Sequence, residues 1–312
     1  MVQMGDASVA CERGAAAMRS RLIVLVLLGA LFVLAGAAAP GEVVRVAVSI
    51  APLAFLVEKT AGPYADVTVL VKPGQSPETY DPTPKHLAEL MEADLYCIIG
   101  LPFEARTVEK IKESAPQLRI VDLREGIALR PMTEPHAHEG QDPPQAGNPD
   151  PHIWLSARNL RIMAETVCRA LSAVGPDHAA TFRERTTAFQ GELDALDGRV
   201  TALLAPVKGR SFYVYHPAYG YFADAYGLKQ VAVEVGGREP SAKQLAHLID
   251  GAKAEGVRVV FVQPQFSRKS AETVAQAIGG VVAPMDPLAR DCLKNIEEMA
   301  GQIRQAAERS GK

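Results

Sequence analysis

Apolar residues fall along this chain in two alternating modes, short continuous runs and stretches with helical spacing, and the alternation occurs twice. Residues 43–50, 67–71, 95–100 and 119–123 are β-branched or apolar runs of strand length. Between them, 53–60, 84–93 and 104–113 carry helix-favouring residues at helical spacing. After a break the pattern resumes, with strands predicted at 211–215, 230–235, 259–263 and 281–284. Helices predicted at 219–226, 241–254 and 270–278 separate these. Near-continuous apolar strands separated by helices describe parallel sheets covered on both faces. The expected fold class is α/β, with two lobes, each a central, mostly parallel four-stranded sheet flanked by helices.

The stretch between the two halves has a different rhythm. Ser156 is a plausible N-cap for a helix with Leu160, Met163, Val167, Ala170 and Val174 on one face. Gly175-Pro176 interrupts it, and from 177 to 204 Phe182, Phe189, Leu193, Leu196, Val200 and Leu203 recur in helical steps. At about 1.5 Å per residue this second helix is roughly 40 Å long, the height of two stacked small lobes. A rigid helical connector would restrict hinge motion more than loop crossovers would. A helical hairpin packed on one lobe is the other arrangement the pattern allows. The expected organisation is an N-terminal lobe at 40–175, a connecting helix at 176–205 and a C-terminal lobe at 206–312.

Two segments stand outside this plan. Met18-Arg19-Ser20-Arg21, the apolar run 22–34 and Ala37-Ala38-Ala39 before Pro40 form the three parts of a secretory signal. Residues 1–39 are therefore expected to be a signal peptide, with Met18 a candidate start; an uncleaved membrane anchor is the alternative. The segment 131–151 is rich in Pro, Gly, Asn, Asp and Gln and has almost nothing to bury, which predicts a mobile excursion. Within it His136 and His138, near Glu134 and Glu139, could make auxiliary metal contacts.

Composition narrows the function classes. A net charge of −3 over 312 residues excludes a polyanion binder relying on bulk positive charge, so no nucleic-acid partner is expected. A single apolar segment long enough to approach a membrane span excludes a multispan channel. Four Cys are too few for a disulfide scaffold. Beyond the signal remain Cys97, Cys168 and Cys292, an odd number; a Cys97–Cys168 bridge is left open.

The candidate chemistry lies in four short segments. Glu78 and Asp286 follow predicted strands, His216 follows the first strand of the second lobe, and His152 opens a helix ahead of the connector. Open α/β sheets bind ligands beyond the carboxyl ends of their strands. Two candidates come from each lobe, so the interlobe cleft is their natural meeting place. Two imidazoles and two carboxylates suit Zn²⁺, Mn²⁺ or Fe²⁺. Each residue also has an ordinary role open to it: a strand-end histidine, a helix cap, a turn aspartate and a surface carboxylate. His86, His178 and His247 fall in helical stretches and read as surface or packing residues.

The same segments carry a resemblance. Gly74-x-x-Pro77-x-x-Tyr80-x-Pro82-x-Pro84, Asp150-Pro151-His152-Ile153-Trp154-Leu155, His216-Pro217-Ala218-Tyr219-x-Tyr221-Phe222, Glu239-Pro240-Ser241-Ala242 and Met285-Asp286-Pro287-Leu288 occur in order. From about Val43 to the C-terminus the chain resembles the zinc/manganese-binding solute-binding proteins of bacterial ABC transporters, the cluster with a rigid interdomain helix. The resemblance implies a periplasmic or extracytoplasmic monomer that captures a divalent metal as transported ligand. It would deliver this cargo to a membrane permease powered by an ATPase. It implies His152, His216 and Asp286 as metal ligands, and likens the loop around 134–139 to a short form of the family's His- and acid-rich loop.

Glu78 departs from the family, which usually has His there. Two His and two carboxylates are the inventory of manganese-type members, while the His loop and retained His216 favour zinc. If Glu78 points away, water takes the fourth position. An enzyme alternative, a metallohydrolase with Glu78 as general base, lacks any accompanying hydrolase signature. The expectation is a carrier, not an enzyme.

Overall fold

Eight short strands build two sheets of the same design. The computed structural model describes residues 43–132, 149–234 and 238–309. The signal segment 1–39 and the loop residues His136 and His138 lie outside the described residues. In the first lobe β1 (Val44–Val48), β2 (Ala65–Val69), β3 (Leu95–Ile98) and β4 (Arg119–Asp122) pair in the order β2-β1-β3-β4. In the second, β5 (Ser211–Val214), β6 (Lys229–Ala232), β7 (Val259–Val262) and β8 (Val281–Pro284) pair in the order β6-β5-β7-β8. Every pairing is parallel. The helices of the first lobe are α1 (Ala51–Ala61), α2 (Pro84–Met91) and α3 (Glu104–Lys112).

Local chemistry starts these helices where the pattern indicates. Pro stands in the first turn of α1, where its missing N–H costs nothing. Thr83 closes a capping box on α2, its side chain accepting from the His86 N–H. The Ser156 hydroxyl likewise accepts from Asn159 N–H at the start of α4 (Ala157–Val174). The strands are trimmed relative to expectation, and β2 begins two residues early, at Ala65. Its register opposite β1, Val46 against Val67, settles that boundary.

The connector is α5 (Ala179–Leu204), 26 residues, about 39 Å at 1.5 Å per residue. Phe182, Phe189, Leu193, Leu196, Val200 and Leu204 form its buried stripe; Leu203, expected on that face, is only partly buried. α5 pairs with α4 as a hairpin and also spans both halves. It packs on α1 of the first lobe and on α6 (Gly220–Tyr226) and α9 (Cys292–Arg309) of the second. Ion pairs Lys59–Glu192, Arg158–Asp197, Arg161–Asp194 and Arg199–Glu297 run along its surface. Exposed pairs of this kind contribute about 0–1 kcal/mol each, so the buried stripe does most of the holding.

α7 (Ala242–Ala254) and α8 (Lys269–Ala277) complete the second lobe. The sequence reading did not name α9, although Ile296, Met299, Ala300 and Ile303 mark its buried face. One apolar core runs from Val48 and Leu56 through Trp154, Phe189 and Leu196 to Tyr219, Phe261 and Met299. That continuity makes the residues from Val43 onward one compact unit. Cys97, Cys168 and Cys292 are all buried and free, so the Cys97–Cys168 bridge left open by the sequence is not formed.

Candidate metal centre

In each sheet the strand order reverses between the first and third strands, and the crevice at their carboxyl ends is the place for a ligand. The two lobes use it differently. In the first, the crevice is filled by Glu104. One carboxylate oxygen accepts from the backbone N–H groups of Ile99, Gly100 and Leu101 at 3.0, 2.6 and 2.9 Å. The other accepts from the Ser49 hydroxyl at 2.5 Å, which also meets the Tyr96 hydroxyl. Burial pushes the Glu104 carboxyl up to about 7, against those hydrogen bonds. In the second lobe the crevice holds His216, two residues beyond β5. Gln263, just past β7, clips its backbone: His216 N–H donates to Oε1 at 3.2 Å and Nε2 donates to the His216 carbonyl at 2.7 Å.

His152 arrives from the first lobe through the segment that precedes α4, and both imidazoles are buried. Each is fixed by a buried carboxylate. His152 Nδ1 lies 2.8 Å from Asp150 Oδ1, and His216 Nδ1 lies 2.6 Å from Glu234 Oε1. An ionised carboxylate only accepts, so Nδ1 carries the hydrogen in both rings and each neutral ring turns a lone pair outward at Nε2. The two Nε2 atoms face one another at 3.4 Å. Two lone pairs at that distance repel unless a proton or a cation sits between them. For two nitrogens bound tetrahedrally to Zn²⁺ at 2.0–2.1 Å, the N···N separation is about 3.3 Å.

Asp150 is itself anchored. Burial tends to raise its carboxyl, but the hydrogen bonds from His152 and the charge of Arg130 outweigh burial and hold it below the ordinary range. Arg130 Nη1 donates to Asp150 Oδ2 at 3.2 Å, while its Nε lies 3.0 Å from Asp224 Oδ2 on α6. This guanidinium lies so close to Gly220 that a Cβ there would fall 1.3 Å from Nη1; only glycine admits the contact. Phe266 stacks on the His216 ring, centroids 5.0 Å apart and 17° from parallel.

Glu78 completes the cluster. Ligand atoms of Glu78, His152 and His216 all lie within 4.8 Å of one another. Glu78 Oε1 is buried with no hydrogen-bond partner, a costly state for a carboxylate oxygen unless a cation faces it. The loop carrying it is pinned by Tyr80, whose hydroxyl meets His86 Nδ1 at 2.7 Å. His86 thus serves as an anchor rather than a ligand. His178 stacks on Tyr64 at 4.0 Å, also away from the cluster.

Of the four residues expected to meet, three do so and Asp286 does not join them. Its Oδ1 accepts from Leu288 N–H at 2.9 Å and Gln265 Nε2 at 3.1 Å. Its backbone neighbourhood is tied beside the site: Trp154 Nε1 donates to Pro287 O, Tyr219 Oη to Met285 O, and Asn295 Nδ2 to Asp286 O. The orienting roles of Asp150, Glu234 and Gln263 escaped the sequence reading. Glu234 did carry a usable signal, a polar residue beyond the carboxyl end of an apolar strand, the same one that singled out His216.

Comparison with known proteins identifies the family. The family model described as ZnuA, zinc-uptake complex component A, periplasmic, matches residues 46–306. A putative metal-binding protein of Chlamydia muridarum is 30% identical over 257 residues, covering 82% of this chain and 89% of that protein. The zinc-binding protein AdcA of Streptococcus pyogenes serotype M3 is 28% identical over 274 residues; the match covers 83% of this chain but only 53% of AdcA. A crystal structure of ZnuA superposes with TM-score 0.79 at 37% identity, covering 85% of this chain and all of that one. The match spans both lobes and the connector, and the two-lobe, long-helix architecture is the same. The chain belongs to the periplasmic zinc-uptake component A family, metal-binding proteins of ABC importers rather than enzymes.

Proposed function

We propose that this protein captures Zn²⁺ outside the cytoplasm through Glu78, His152 and His216 and hands it to the permease and ATPase of an importer. The observation that carries this reading is the facing pair of Nε2 atoms, 3.4 Å apart, each ring held in the metal-binding tautomer by its own buried carboxylate. The orphaned Glu78 oxygen beside them supports a cationic occupant. Two nitrogens and one oxygen suit Zn²⁺ better than Mn²⁺, which prefers an all-oxygen or oxygen-rich shell. Water fills the remaining position of the tetrahedron. One chain supplies the whole ligand set, so a monomer suffices, and the leader at 1–39 directs export.

The test is elemental analysis of the purified protein after exposure to an equimolar zinc–manganese mixture, followed by competitive chelator titration of variants. Zinc should be retained in preference. Glu78→Ala, His152→Ala and His216→Ala should each weaken binding by about tenfold or more. Glu78→His should restore it and raise the zinc preference. Retention of manganese over zinc, or unchanged affinity in the three alanine variants, would overturn the reading.

A further inference from the structure

His216 is gripped from three directions, and two of the grips have an evident task. Gln263 clips its backbone and Glu234 fixes its tautomer. The third is Phe266, whose ring lies 17° from parallel to the imidazole with centroids 5.0 Å apart. Phe266 belongs to the same turn as Gln263, since its N–H donates to the Gln263 carbonyl at 3.1 Å. Its ring also leans on Tyr215 at 5.5 Å and packs, partly buried, against the apolar cluster of Tyr213, Val233 and Val262. The phenyl ring is therefore fixed by its own surroundings and can impose its plane on the imidazole. On His152 the neighbouring Trp154 is 5.2 Å away but tilted by 50°. His152 itself meets the His216 ring at 68°, edge against face, so the parallel surface offered to His216 is that of Phe266.

We propose that Phe266 is a positioning residue for metal capture: it holds the His216 imidazole in plane and stabilises the charge that ring acquires on binding Zn²⁺. The proposal rests on the reading of His216 as a zinc ligand. In the metal-free protein the imidazole is neutral and the stack is ordinary ring packing. Coordination at Nε2 draws electron density toward the cation and leaves the imidazole partly positive. The face of a phenyl ring is its negative pole, so attraction across the stack rises when the metal binds. His216 is 6% exposed, and little water is there to screen that attraction. Packing common to the free and bound states cancels from the affinity; the increment does not. On the scale of one cation–π contact it is about a fivefold gain in zinc affinity.

The experiment compares Phe266→Leu, which keeps an apolar side chain without a negative face, with proteins carrying singly, triply and fully fluorinated phenylalanine at 266. Fluorination keeps the shape of the ring while it drains, and with five fluorines reverses, the negative face. Zinc affinity is read by chelator competition, and the stability of each metal-free protein by denaturant unfolding. Phe266→Leu should weaken zinc binding about fivefold. The fluorinated series should weaken it progressively, the fully fluorinated ring at least as much as leucine, with stability near that of the unmodified protein. Unchanged affinity across the fluorinated series would overturn the proposal, because a residue that only packs responds to shape and not to ring charge. So would a loss of affinity that follows apo stability instead of fluorine number. His216→Ala separates the two levels of the argument. If it loses zinc while fluorination does nothing, the ligand reading stands and the role of Phe266 falls; if it binds zinc normally, both fall.

Discussion

Removing the carboxylate behind His216 should weaken metal binding although that carboxylate touches no metal. Glu234 is 4% exposed and its Oε1 lies 2.6 Å from Nδ1, so the bond is short, dry and charge-assisted. It fixes the tautomer that leaves Nε2 free, stops the ring from rotating and makes it a better donor to the metal. Glu234→Gln keeps an acceptor at nearly the same place and loses only the charge; binding should weaken about tenfold, or about 1.4 kcal/mol. Glu234→Ala removes the acceptor altogether and should cost nearer a hundredfold. The apo protein should also lose about 1–3 kcal/mol of stability in the alanine variant, because the Nδ1–H is left buried and unpaired. Chelator competition measures the first effect, and denaturant unfolding of metal-free protein the second. Wild-type zinc affinity in both variants would refute the argument that Glu234 sets the ring. Equal weakening by Gln and Ala would instead assign the whole effect to the charge and refute the part given to acceptor geometry.

Three further outcomes are expected. Burial raises the Glu104 carboxyl from 4.5 to about 7 in the folded protein. The folded state therefore holds the proton more tightly than the unfolded chain. The stability it contributes is complete below pH 4.5 and is lost as pH rises through 7, a change of about 3 kcal/mol. Glu104→Gln should flatten this part of the stability profile, and urea titrations giving the same slope for both proteins would contradict it. Trp154→Phe keeps most of the buried ring but orphans the Pro287 carbonyl that Nε1 reaches, and should cost about 1–3 kcal/mol in thermal or urea unfolding. Unchanged stability would show that this tie between the lobes contributes nothing. Alanine at both His136 and His138 should leave equilibrium zinc affinity unchanged; a large loss in chelator titration would move those residues into the site itself.

Much of this protein is written locally. Alternating apolar runs and helical stretches specify βα units wherever they fall, since the inner strands β3, β5 and β7 are buried almost throughout and the long helices each bury one stripe. Thr83, Ser156 and Ser241 mark helix starts because a cap acts within a single turn. His152, His216 and Glu78 were legible as candidates for a similar reason: polar side chains at or just beyond element ends have few structural tasks. Which of them meet was not legible. His152 and His216 are 64 residues apart in sequence, and only the stacking of two lobes along α5 brings their Nε2 atoms together. The same packing decides that Glu234 and Asp150 stand behind the rings and that Glu104 plugs the matching crevice of the first lobe. Asp286 shows the limit most directly. Its position after β8 is the same kind of signal as that of His216 after β5, yet its Oδ1 accepts hydrogen bonds from Gln265 and Leu288 and it is not among the three clustered residues. Residue type and strand ends determine what chemistry is on offer; hydrogen bonds between distant segments decide which of it is used, because they form only after the lobes have packed.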